Sequence, residues 1–255
     1  MGWLAMTSNE LTDFFNERHL EIKAYLQLLQ DIEDAARTGP PRLKGTGTAI
    51  TVQQKNILSS GLYLQLYNLV EATVSRCLDG VASALASERR MPSDLNPDLR
   101  REWVRAIART HGDLNPGNRL EAAISVCEYF LNQLPISHFK IEVGGGGNWD
   151  DSAIEKICER VGCTLSISTP VSAAAKRHVR DEMGAMKLVK DRRNSLAHGS
   201  LSFVDCSDGV TVSELRDLAG AVGAYLSEAV DSFVNFIEVD IRRISSGVEN
   251  SGVAS

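Results

Sequence analysis

The 255-residue chain contains no run of about 18 or more apolar residues, the length a membrane-crossing helix needs, so no span is expected. Its opening, MGWLAMTSNELTDFF, has no basic region followed by an apolar block, which argues against a secretory leader. Met1-Gly2 is followed by residues that fit the myristoylation pattern poorly. The five cysteines (Cys77, Cys127, Cys158, Cys163 and Cys206) are odd in number and scattered. No CxxC and no paired Cys/His spacing is present, so neither a disulfide framework nor a structural zinc is expected. Cys77 and Cys127 lie within helical apolar patterns and read as buried thiols of a reducing, cytoplasmic compartment. No internal repeat is visible. No carboxylate cluster has metal-ligand spacing, and no serine or cysteine nucleophile has a recognisable setting. No metal or cofactor is expected.

What is present is helical periodicity. A hydrophobic fraction of 43% supports a substantial core. Leu11, Phe14, Phe15, Ile22, Tyr25, Leu26, Leu29 and Ile32 recur at three- and four-residue spacing, predicting a helix over 11–37. TGPPRLKGTGTAIT ends it. Residues 53–90 predict a long helix, apolar around much of its circumference and therefore central in a bundle. Shorter helices follow over 98–110, 119–132 and 152–161, the last capped by Asp150 or Asp151. A helix is predicted over 171–197, stopped by Gly199. TVSE, Thr211 to Glu214, fits a capping box that opens a last helix running to about residue 244. Between the fourth and fifth helices HFKIEV reads as a short strand. The glycine run at 144–147 lacks both a following Lys-Ser/Thr and a GxGxxG frame, so it is not expected to cradle phosphate. The expected fold is an all-α bundle spanning residues 1–244 as one domain. A loop-rich insertion at about 133–170 contains at most short strands, and 245–255 form a flexible tail.

Charge is uneven. The net charge is −6, yet residues 176–193 hold seven basic side chains against three acidic ones. Either a solvated helix face or a patch that steers a polyanion has this composition. On a helical wheel for 171–197, Val179, Met183, Met186, Val189, Leu196 and Ala197 form one apolar stripe. Arg193 falls near its centre, one heptad after Met186. Asn194 and Lys190 fall on its border, His198 shares a face with Asn194, and Lys187 and Asp191 lie on the same flank. A cation in an apolar stripe needs a partner or a wet cleft. One reading is an ion pair with Glu71 of the central helix, with His198 satisfying the helix end. The other is a reaction site.

RRNSLAHG, with Arg193-Asn194-x-x-x-His198, resembles the R-x4-6-H motif of the HEPN superfamily, which likewise sits at the end of a late helix in an α-helical bundle. FFNERHLEIKAYLQLLQDIE, ILSSGLYLQLYNLVEATV and RNSLAHGSLSF followed by a helix are similar to one prokaryotic branch of it, associated with toxin–antitoxin and phage-defence loci. The resemblance implies a HEPN-like bundle and metal-independent RNA cleavage at a homodimer interface, with a cognate antitoxin or defence protein as a possible partner. On that footing His198 moves protons at the 2′-hydroxyl or the 5′-oxygen, Arg193 holds the scissile phosphate, and Asn194 orients His198 or donates to phosphate. Arg180, Lys187, Lys190 and Arg192 would guide the RNA backbone, and Glu71 and Asp191 would support the site. The superfamily also contains members that bind a nucleotide or a partner protein without cleaving, and a plain helical scaffold is a third reading. His111, His138 and His178 are alternative bases, read more simply as loop or exposed helix residues.

Overall fold

The structure is a computed structural model and describes residues 8–110, 112–143 and 148–242. The expectations for Met1-Gly2, His111, the glycine run and the tail lie outside the described residues. Among them the chain forms nine α-helices and no strand.

Helix α1, Ser8–Ala36, buries Leu11, Phe15, Ile22, Leu26, Leu29 and Ile32 along one stripe. Helix α2, Val52–Ser87, starts at a capping box: Gln54 N–H donates to Thr51 Oγ1 (3.1 Å) and Thr51 N–H to Gln54 Oε1 (2.9 Å). These bonds satisfy amides that a helix start otherwise leaves open. Helix α2 packs against α1 and against three helices from the last third of the chain, so it is buried on several faces, as its apolar circumference predicts. Helices α3, Pro97–Ile107, and α4, Pro116–Leu131, each open with Asn-Pro. The asparagine caps and the proline takes the first helical position, where its missing N–H costs nothing. Helix α5, Asp151–Val161, is capped by Asp150 and closed by Gly162 at φ +75°. Helix α9, Val212–Asn235, begins at the Thr211–Glu214 capping box and runs on into a π-helical turn, Phe236–Arg242. The Arg90 guanidinium just past α2 donates to the Ile241 carbonyl there, tying the two ends together.

Three expectations need correction. Residues 171–197 are not one helix. They form α6, Thr169–Lys176, and α7, Ala185–Ala197, with a turn between in which Asp181 and Glu182 take φ of +52° and +57°. Val179 and Met183 therefore belong to the turn, and their helical spacing to Met186 is coincidental. Gly184 makes the break possible: a Cβ there would stand 2.6 Å from the Ala175 carbonyl oxygen, so only glycine lets α7 start against the end of α6. HFKIEV is not a strand. Phe139 and Ile141 are buried in the core, but among the described residues no strand lies beside them. The segment is held instead by Ile136 N–H to the Arg90 carbonyl (2.7 Å) and by Arg160 to the Glu142 carbonyl (2.8 Å). Cys127 is exposed on α4, while Cys77, Cys158, Cys163 and Cys206 are buried. Helix α8, Phe203–Cys206, is a single turn without a periodic signature.

The insertion is fastened to the bundle by charge. Glu102 of α3 is 2% exposed and accepts from Arg105 (2.5 Å) and from Arg160 of α5 (3.2 and 2.6 Å). Removing a buried carboxylate strands its cations. Glu102→Ala is expected to cost about 3 kcal/mol in urea denaturation, with Glu102→Gln costing less.

Candidate functional site

Helix α7 packs against α2, and its Met186 and Val189 are 2% and 1% exposed. The apolar stripe is therefore covered by the chain's own core, and these two residues are not available as an interface between subunits. Arg193, one heptad after Met186, is not covered as those two are: its side chain is 29% exposed. Three groups hold its guanidinium. Its Cζ stands 4.2 Å from the ring centroid of Tyr67, a fully buried residue of α2. Its Nη2 is 3.8 Å from Glu71 Oε2, one turn further along α2. Its Nη1 donates to Asn194 Oδ1 at 2.8 Å. A cation over an aromatic face gains about 1–2 kcal/mol when partly desolvated. This arrangement lets a charge sit at the rim of a core without going through it.

Asn194 is fixed from the other side, its Nδ2 donating to Asn148 Oδ1 at 3.1 Å. Trp149 N–H donates to the Tyr67 hydroxyl at 3.2 Å, and Asp150, besides capping α5, pairs with Lys190. Three successive residues after the glycine run thus bind the motif helix or the ring beneath Arg193. The sequence reading missed Tyr67, Asn148 and Trp149. Tyr67 was detectable, because it stands four residues before Glu71 on the same face of a predicted helix. Asn148 and Trp149 gave no such signal, since their role depends on how an irregular segment folds back.

His198 is the C-cap of α7; its backbone N–H donates to the Asn194 carbonyl at 2.9 Å, and Gly199, at φ +70°, turns the chain away. Its imidazole is exposed and has no hydrogen-bond partner among the described residues. Asn194 is joined to His198 through the backbone only; its side chain serves Arg193 and Asn148. The remaining basic residues divide. Arg192 turns to Asp181 and Asp191, and Lys190 to Asp150, so these charges are already matched. Lys187 is exposed, and Arg180 reaches only the Asp208 carbonyl, at 3.4 Å. The positive segment is thus less free to meet a polyanion than its charge count implies. His178 is exposed, and His138 lies 3.1 Å from Asp79, away from the motif helix. Among the described residues no three His, Cys, Asp or Glu side chains are grouped to hold a metal ion, and no helix is long and apolar enough to cross a membrane.

The family model described as HEPN_MAE_28990-like HEPN matches residues 7–240. The chain belongs to this HEPN family. The match runs from the start of α1 into the π-helical turn and includes residues 133–170. Neither the search of curated proteins nor that of solved structures gave a match. The all-α architecture agrees with HEPN membership.

The seat of Arg193 can be tested by stability. Tyr67→Phe keeps the aromatic face and removes the acceptor for Trp149 N–H, and should cost about 1 kcal/mol in chemical denaturation. Tyr67→Ala removes both and opens a cavity, and should cost about 3–5 kcal/mol.

Proposed function

We propose that this HEPN protein is a metal-independent endoribonuclease. The observation that carries the reading is the presence, at one end of α7, of a guanidinium braced on three sides and of an exposed imidazole without a hydrogen-bond partner among the described residues. RNA brings its own nucleophile, so the protein needs only a cation for the phosphate and a group that moves protons. In the proposed reaction the 2′-oxygen attacks phosphorus and the 5′-oxygen leaves. The imidazole of His198 takes the 2′-proton or protonates the 5′-oxygen. Arg193 offsets the charge gathering on the non-bridging oxygens. The products are a 2′,3′-cyclic phosphate and a 5′-hydroxyl. Both proton transfers need a group in place, and one chain offers one such histidine. A homodimer bringing two motifs together would supply the second. Since Met186 and Val189 are buried within the chain, such a dimer must meet through the exposed end of α7 around His198. The branch resemblance supports a toxin or phage-defence role, a cytoplasmic setting and a cognate antitoxin or defence partner.

The contacts of Arg193 with Tyr67, Glu71 and Asn194 also favour a second reading, a HEPN module that binds a nucleotide or a protein and does not cleave. There the arginine is part of the packing. One assay separates them. Purified protein is incubated with total RNA in EDTA and the product ends are analysed. The nuclease yields cyclic phosphate ends, and His198→Ala or Arg193→Ala lowers the rate by about 100-fold or more. A binding module yields no ends and is stabilised by its ligand. Sedimentation at micromolar concentration should show a dimer; a monomer that still cuts RNA would rule out the shared site.

A further inference from the structure

A cleft of about 660 Å³ opens beside Glu71, between α1, α2 and residues 138–143. That is within the range of roughly 300–1,000 Å³ typical of small-molecule sites. Its position is informative, because Glu71 forms part of its wall and also pairs with Arg193. From Glu71 the cleft follows one face of α2 past Ser75 and Arg76 to Asp79, about 12 Å at 1.5 Å per residue.

The lining combines apolar walls with cations. Ala72, Leu78 and Val143 supply the apolar surface. The Arg76 guanidinium lies 5.7 Å from the centroid of the Phe14 ring, which also carries Arg18 at 5.7 Å. Arg76 is 3.8 Å from Asp79, which also meets His138 at 3.1 Å. The Nε of Arg76 has no accessible surface and no hydrogen-bond partner among the described residues, so it is not the atom that faces the cleft. What a ligand in the cleft meets is the accessible part of the Arg76 side chain, which is 41% exposed, and a guanidinium there offers further N–H donors to an anion. Lys140 stands at the rim, 81% exposed, with only a 4.0 Å contact to Glu142. The two carboxylates of the cleft are already engaged, Glu71 by Arg193 and Asp79 by Arg76 and His138, so they oppose an anion less than free carboxylates would.

We propose that this cleft binds one nucleotide, with the base against the apolar wall and the phosphate between Arg76 and Lys140. Planar guanidinium and aromatic groups interleaved with cations suit a single-stranded nucleotide, whose base needs a flat apolar partner and whose phosphate needs donors. Because Glu71 joins the cleft to Arg193, the nucleotide is the one flanking the cut in the substrate strand. This last step rests on the ribonuclease reading; the chemistry of the cleft does not.

The test uses the full chain and two probes: a fluorescein-labelled, mixed-sequence 2′-O-methyl oligonucleotide, which lacks the attacking hydroxyl, and adenosine 5′-monophosphate as competitor. Binding is followed by fluorescence anisotropy in EDTA. Arg76→Gln and Lys140→Ala should each weaken binding of the strand, by about tenfold for Arg76 and less for the exposed lysine. Thermal melting confirms that each variant is folded, and Lys140→Ala changes only an exposed side chain. If adenosine monophosphate alone binds, and does so through Arg76, the cleft is a nucleotide site detached from the strand. Equal affinity of both variants and the wild type for both probes overturns the proposal, as does a wild type that binds neither. The two readings fail separately. RNA cut in the EDTA assay with no effect of Arg76 on binding removes only the cleft. Arg76-dependent binding of the strand with no RNA cut removes only the nuclease.

Discussion

The candidate site depends on one contact, the guanidinium of Arg193 lying on the buried ring of Tyr67. A free cation at the rim of an apolar core would swing into solvent, or would draw water in. The ring gives it a face to rest on, Glu71 gives it a counter-charge at 3.8 Å, and Asn194 fixes its rotation. The price is an irregular segment: Tyr67 is held through its hydroxyl by Trp149, and Asn194 by Asn148. The insertion is thus coupled to the motif helix, although it contributes neither the arginine nor the histidine.

The same contact divides the charges around α7. Arg193 is held in place while remaining partly exposed, and the His198 imidazole is exposed at the end of the same helix. Arg192 and Lys190 are taken up by Asp181, Asp191 and Asp150. A substrate anion would therefore meet few loose cations near α7. The cleft beyond Glu71, lined by the part-exposed Arg76 and by Lys140 at its rim, offers additional positive charge.

Much of this was legible in the sequence where a single element carries the signal. The stripe of α1, the all-round apolarity of α2, the Thr51–Gln54 and Thr211–Glu214 boxes and the glycine stop at 199 are local patterns. Of these, the Thr51–Gln54 box went unread. The Arg193–Glu71 pair was also legible, because a wheel puts the arginine in an apolar stripe that demands a partner. What failed depended on tertiary structure. Val179 and Met183 keep helical spacing through a turn that exists because Gly184 can touch α6. Ile136, Phe139 and Ile141 bury themselves like strand residues with no strand to pair with. Cys127 shares an apolar pattern with neighbours on a helix whose outer face is exposed. Asn148 and Trp149, which brace Asn194 and Tyr67, could be placed only once residues 148–150 were known to fold back onto α2 and α7.

The central claim is that His198 and Arg193 act on a nucleophile carried by the RNA itself. The most direct measurement replaces the single ribose 5′ to a mapped cut with its 2′-deoxy form and follows cleavage at that bond. The account requires that cutting stop there while other sites on the same strand are still cleaved. Cleavage of the deoxy bond at an undiminished rate would mean that water or a protein group attacks phosphorus, and would contradict it.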